Sequence, residues 1–186
     1  MKTIQDPQKI KHIGEFYTKL VQAHYEYLDY WLHHTLFHWD FFLSLFLSIF
    51  PWLLWIKFRK KESTHRLLLV GFFVLIISSW LDFCGTMYGL WYYTGKIFPT
   101  MPAYSPWDFC ILPVIVMFLI QYKPNTSPLL KALIFACIGA FLGEPLFQWI
   151  GLYVMTKWSN FYSFPIYFFM YCISHKLSRV DKFANI

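Results

Sequence analysis

Charge is what this chain has least of. Only 14% of its 186 residues are Asp, Glu, Lys or Arg, where a soluble globular domain carries about 25%. Hydrophobic residues make up 58% and aromatic residues 23%, more apolar surface than a soluble fold of this length has interior to hide. A water-soluble monomer is therefore excluded. Cysteine is scarce too, four residues with no paired spacing, which excludes a disulfide scaffold or a redox pair and leaves Cys84, Cys110, Cys137 and Cys172 as small apolar residues. Eight glycines without a period exclude a collagen-like rod, and the low polarity excludes disorder. The first 36 residues are polar and mixed in charge, so no cleavable signal peptide is expected. No second domain, internal repeat, phosphate loop or nucleophile elbow is evident.

What is present is a set of apolar stretches, each near the ~20 residues that cross a bilayer. They run over 37–56, 67–88, 106–122, 128–150 and 160–175. None alternates apolar and polar residues as barrel strands do. The predicted fold is all-α, a polytopic membrane bundle of five transmembrane helices over 37–176. An N-terminal amphipathic helix or tail over 1–36 precedes it, and a short cytoplasmic tail over 177–186 follows. In the first segment Ile10, Ile13, Tyr17, Leu20, Val21, Leu28, Trp31 and Leu32 recur near a 3.6 period, as an interfacial or partner-binding helix would. Ser105-Pro106-Trp107-Asp108 reads as a cap, a first-turn proline and an acid, and Ser127-Pro128 opens the fourth span in the same way.

Lys57, Arg59, Lys60, Lys61 and Arg66 follow the first span, Lys123 and Lys131 the third, and Lys176, Arg179 and Lys182 the fifth. The other two links hold only Lys96 and Lys157. This alternation predicts a plasma-membrane protein with its C-terminus in the cytoplasm and its N-terminal tail outside. It also explains the net charge of +6 without nucleic acid, since the basic cluster lies where anionic headgroups attract it.

Four acids fall within or at the edge of the spans. At 1.5 Å per residue, Asp82 and Glu144 lie roughly 22 and 24 Å from the inner ends of their helices, while Asp40 and Asp108 enter within roughly 5 Å of the outer face. All four share one outer layer, and an ionisable group there faces inward and needs a partner. On the second span Ser78, Ser79, Asp82, Gly85, Thr86 and Gly89 form one small, polar stripe. On the fourth, Ala136, Gly139, Ala140 and Gly143 make a close-packing face, with Gln148 a turn above Glu144. Pro145 and Pro113 should each free a carbonyl, those of Phe141 and Phe109, and bend their helices. The candidate binding residues are therefore Asp82, Glu144, Asp108, Asp40, Gln148 and Thr86. A plainer role is open to each acid: Asp108 as a helix cap, Asp40 as a wet interfacial group, Asp82 and Glu144 as glue between helices.

Trp39, Trp91, Trp107, Trp149 and Trp158, with Tyr88, Tyr92, Tyr93, Tyr104, Tyr153 and Tyr162, fall in the same layer. An interfacial belt accounts for most of them, although rings around a cavity also suit a cation. His34 and His38, one turn apart, are the weak metal candidates, and they lack the further ligands a site needs. No cofactor is expected.

Asp82, Gly85 and Gly89-Leu90-Trp91-Tyr92-Tyr93, Pro106 and Asp108 with Leu112-Pro113-Val114, Gly143-Glu144-Pro145 with Trp149-Ile150-Gly151-Leu152-Tyr153, and Trp158 with Tyr162-Ser163-Phe164-Pro165-Ile166-Tyr167 are similar to a family of small multipass membrane proteins of spore-forming Gram-positive bacteria. The resemblance covers roughly residues 67–170 and implies a plasma-membrane location and no particular activity. The general plan also resembles the small membrane-embedded terpenoid and carotenoid cyclases, with no shared motif.

Three functions follow as expectations. The first is a structural or partner-binding membrane component with an acidic pocket in the outer leaflet, in contact with lipid and with copies of itself or other membrane proteins. The second is a carrier or binding protein for a proton, a cation or an amphipathic ligand. The third is an enzyme using a carboxyl as acid on an isoprenoid or lipid. The lack of a repeat counts against a transporter.

Overall fold

The computed structural model describes residues 4–180, so the tail from residue 181 on lies outside the described residues. Within them the chain is mostly helical. It forms α1 (Pro7–His34), α2 (Trp39–Phe58), α3 (Lys61–Met87), β1 (Trp91–Tyr93), α4 (Pro106–Gln121), α5 (Pro128–Ile150), β2 (Tyr153–Met155) and α6 (Asn160–Leu177). Helices α2, α3 and α5 are long and apolar enough to cross a membrane. Helices α4 and α6 lie over the two remaining apolar stretches.

Local chemistry sets these bounds. The Asp6 carboxylate caps α1 by accepting from the Gln8 N–H at 3.1 Å. Helix α1 is mostly exposed and is buried only at Trp31, whose indole N–H donates to the Lys96 carbonyl at 2.7 Å. It does not run smoothly into α2, because the chain turns at 35–38 with Phe37 in the left-handed region (φ 61°). Helix α3 starts six residues before its apolar stretch, with a tight turn at Lys61–Ser63 and the Thr64 hydroxyl donating to the Lys61 carbonyl at 2.8 Å. The expected cap at Ser105 is absent. Ser105 is itself helical, and the Asp108 carboxylate reaches back to the Tyr104 N–H at 2.9 Å. Lys131 is more than a topology signal, since its ammonium donates to the carbonyls of Leu119, Tyr122 and Lys123 and closes the end of α4.

Helices α3 to α6 share one core, in which Val70, Val74, Leu112, Val116, Ala136, Ala140, Met170 and Tyr171 interlock. Helix α2 packs outside it, with Trp55 against Leu67, Val114 and Met117. Small residues allow the close approaches. A Cβ on Gly139 would fall 2.9 Å from the Tyr167 ring, and one on Gly71 would fall 2.9 Å from the Met117 sulfur.

Around the strand pair the chain has a local symmetry that its sequence does not announce. Helices α3 and α4 with β1, and α5 and α6 with β2, follow the same helix–strand–helix order. In each, an acid stands seven residues before a left-handed glycine, Asp82 before Gly89 (φ 63°) and Glu144 before Gly151 (φ 88°). Each glycine ends its helix in the same double bond pattern. Gly89 and Leu90 donate to Thr86 and Gly85 at 3.0 and 2.9 Å, and Gly151 and Leu152 donate to Gln148 and Phe147 at the same distances. A leucine, three strand residues and a threonine follow in both. The strands pair antiparallel with Tyr92 opposite Val154 at the centre. Across them the Thr94 N–H meets the Leu152 carbonyl and the Thr156 N–H meets that of Leu90. The two threonine hydroxyls cross likewise, to Gly151 at 2.6 Å and Gly89 at 2.5 Å. Each bond has its counterpart, so a pseudo-two-fold axis passes between Tyr92 and Val154.

Candidate acidic cavity

Asp82, Asp108 and Glu144 come from α3, α4 and α5 and line a single cavity just beneath the strand pair. All three are buried. Asp82 is a hub. Strand alternation turns Trp91 and Tyr93 inward and Tyr92 outward, so the Trp91 indole N–H and the Tyr93 hydroxyl both donate to Asp82 Oδ1, at 2.9 and 2.8 Å. Gly85 makes this possible, because any Cβ there would fall inside the Trp91 ring. Asp82 Oδ2 accepts from the Tyr104 N–H at 3.0 Å, and the same N–H is shared with Asp108. The two carboxyls are thus brought together at one backbone N–H.

Above them the Tyr104 ring stacks on Tyr93 (4.6 Å between centroids) and Tyr93 stacks on Tyr153 (5.3 Å). The Tyr104 hydroxyl bonds Ser44 at 2.7 Å, tying α2 to the site, and burial pushes this phenol up to about 12. Lys96 lies in the loop outside this layer. Its ammonium donates to the Met101 and Pro102 carbonyls and sits 5.9 Å from the Tyr93 centroid. Burial pushes the Lys96 ammonium down, and the charges of Asp82 and Asp108 oppose that shift.

Glu144 has a different setting. Its donors come from α6, the Tyr167 hydroxyl at 2.7 Å and the Asn160 amide at 3.3 Å, and Tyr167 in turn accepts from the Trp107 indole at 3.1 Å. Both proline-linked bends next to the acids are wide turns, at Pro106–Ile111 and Gly139–Gly143. There the Leu112 N–H reaches back five residues to Trp107, and the Glu144 N–H reaches back five to Gly139. In this register Pro113 and Pro145 deprive Asp108 and Ala140 of a backbone donor, one residue before the carbonyls expected from an α register. Side chains from other helices supply the missing donors. Ser78 donates to the Asp108 carbonyl at 3.2 Å and Asn160 to the Ala140 carbonyl at 2.7 Å. Phe109 also takes an outside donor, the Trp52 indole at 3.0 Å.

The cavity has a volume of about 60 Å³. That is room for roughly four to six waters, or for a small head group. Eight aromatic rings wall it, and no Lys, Arg or His lines it among the described residues.

The remaining candidates lie elsewhere. The Asp40 carboxyl stands beside Gly95 with Oδ1 buried and unpartnered, and Gln148 has a buried, unpartnered amide nitrogen. The Thr86 hydroxyl turns back to the carbonyls of Asp82 and Phe83 in its own helix. His34 stacks on Tyr30, His38 precedes α2, and the described residues contain no group of three metal-ligating side chains. The aromatic layer divides in two. Trp39, Trp149, Tyr88, Tyr92 and Tyr162 face outward as a belt would, while Trp91, Tyr93, Tyr104, Trp107, Tyr153 and Trp158 line the cavity. Tyr167, Asn160 and Ser163 escaped the sequence reading. Their one signal is that Asn160 stands five residues before Pro165 as Asp108 stands five before Pro113.

Comparison of the chain with protein-family models, with curated proteins and with solved structures finds no match.

Proposed function

We propose that this is a five-span plasma-membrane protein whose outer-end cavity binds an amphipathic molecule made of one thin apolar chain and a cationic or proton-accepting end. In this reading Glu144 is the polar partner of that end. The observation that carries it is the convergence of three carboxyls in a cavity walled by aromatic rings without a basic side chain. Such a site favours an ammonium, through the carboxylates and the ring faces together. The five helices over the five apolar stretches support the span count. The basic residues that follow α2, α4 and α6, at the end away from the strands, support a cytoplasmic C-terminus.

Glue between helices describes Asp82 and Asp108 better than it describes Glu144. Asp82 already accepts from two side chains and a backbone N–H, whereas Glu144 accepts from a phenol and one long amide bond.

The test is titration of the purified protein with dodecylammonium and with dodecanol, read by tryptophan fluorescence. The ammonium should bind about tenfold more tightly, about 1.4 kcal/mol, and Glu144→Gln should remove the difference. Equal binding of both probes, or an unchanged preference in Glu144→Gln, would sink the proposal.

A further inference from the structure

The two-fold relation allows the two seams between the units to be compared position by position. The residue before Asp108 is Trp107 and the residue before Asn160 is Ser159; the residue before Glu144 is Gly143 and the residue before Asp82 is Leu81. At the α4–α5 seam the Trp107 ring packs against Gly143, so close that a Cβ there would fall 2.6 Å from it. Its indole is held by Tyr167 and by an edge contact with Phe147 at 5.0 Å. That seam is plugged. At the α3–α6 seam the matching position holds a small residue, Ser159. Ser159 spends its hydroxyl on capping α6, accepting from the Phe161 N–H at 3.3 Å. Leu81 lines the cavity and is 38% exposed, and Ile166, also lining it, is half-buried.

The same seam is tight at its inner half, where Val70 and Val74 meet Met170 and Tyr171, and Arg66 donates to the Ser178 carbonyl at 3.2 Å. At its outer end the Trp91 and Trp158 rings meet edge to face at 5.0 Å. Between these two closures Leu81 has one side on the cavity and another on the outside of the bundle.

We infer that the gap between α3 and α6 is a lateral portal through which the ligand's apolar chain passes into the outer leaflet. The ligand is then a membrane-dissolved lipid with a single alkyl or isoprenoid chain and an amine or other proton-accepting end, and not a solute arriving from water. The small cavity fits this assignment, because only the head must be held inside while the chain remains in lipid. The inference rests on the binding reading above. What it adds is the route and the kind of molecule.

The experiment uses the full chain in lipid nanodiscs and a dodecylammonium carrying a nitroxide at the far end of its chain. Bound to wild type, the nitroxide should be relaxed by oxygen, which partitions into lipid, and hardly at all by a water-soluble nickel chelate. Leu81→Trp places at this seam the bulk that Trp107 supplies at the other, and Ile166→Trp blocks it from the opposite wall. Each should weaken dodecylammonium binding tenfold or more with the thermal midpoint unchanged. A nitroxide reached by the chelate, or a folded Leu81→Trp or Ile166→Trp protein that binds as wild type does, would overturn the portal and leave the cavity reading standing. Failure of wild type to bind dodecylammonium, or binding that ignores Glu144→Gln, overturns both.

Discussion

The two helix–strand–helix units share a backbone frame and differ in what surrounds their acids. In the first, positions one and three of the strand are Trp91 and Tyr93, and both donate to Asp82. In the second the same positions hold Tyr153 and Met155, and a methionine has no proton to give. Gly85 lets an indole lie on α3, whereas its counterpart on α5 is Phe147, whose own side chain fills that space. Asp82 is thus bound into the strand layer, and Glu144 is left to the cavity and to α6. The same position relative to the glycine is tied to the strand layer in one unit and to α6 in the other.

The sharpest way to break this contrast is to remove both acids in turn. Asp82→Leu would strand the Trp91 indole and the Tyr93 hydroxyl in a buried layer and leave the Tyr104 N–H to Asp108 alone, at about 1–3 kcal/mol for each unsatisfied group. A total loss of roughly 3–5 kcal/mol is expected, read as a large fall in the thermal midpoint in detergent. Glu144→Gln keeps an acceptor for Tyr167 and should cost about 1 kcal/mol or less, while abolishing the preference for an ammonium. Equal destabilisation by the two changes would show that both acids are joints.

Next in size is Gly85→Ala. The added methyl would occupy the Trp91 ring position, so the indole must leave Asp82, with an expected cost of about 2–3 kcal/mol from overpacking and the broken bond. A stability near wild type would mean that the strand layer can shift without loss, and that the hub is weaker than its geometry suggests.

The two bends provide a finer comparison. Asn160→Leu removes the donor of the Ala140 carbonyl and one partner of Glu144, and should cost about 2 kcal/mol. Ser78→Ala loses one long bond to the Asp108 carbonyl and should cost about 1 kcal/mol. Denaturant unfolding of both variants decides the order, and a larger effect at Ser78 would reverse the assignment of which bend depends on its side-chain donor.

Much of this was legible beforehand, and the missing parts have physical causes. Apolar runs and the prolines at 106 and 128 marked the helices, because span length and first-turn proline are properties of one segment alone. Depth along the helices grouped Asp82, Asp108 and Glu144 correctly, yet admitted Asp40 to the same layer. Rise per residue gives height and says nothing about which helix joins the core, and α2 packs outside it. Each strand is three residues long, too short for a period to register. The symmetry is faint in the sequence because the two segments share little beyond Gly-Leu, one aromatic residue and Thr, with Asp in one matched to Glu in the other. The freed carbonyls were placed one residue late because a five-residue hydrogen bond replaces the usual four at both bends.

The smallest expected effects test the symmetry itself. Thr94 and Thr156 are exposed, and each sends its hydroxyl across the axis to the carbonyl of the other unit's left-handed glycine, at 2.6 and 2.5 Å. Replacement by Val keeps shape and strand preference while deleting one bond, so each single change should cost about 0.5–1 kcal/mol. Because neither residue contacts an acid, the comparison is free of the asymmetry that separates Asp82 from Glu144. The two losses should agree within a few tenths of a kcal/mol. In the double variant they should nearly add, since the bonds flank the strand pair and share no partner. Unequal losses would confine the two-fold relation to the backbone. A double loss well above the sum would instead show that the two threonines hold the strand pair together as a single cooperative clasp over the cavity.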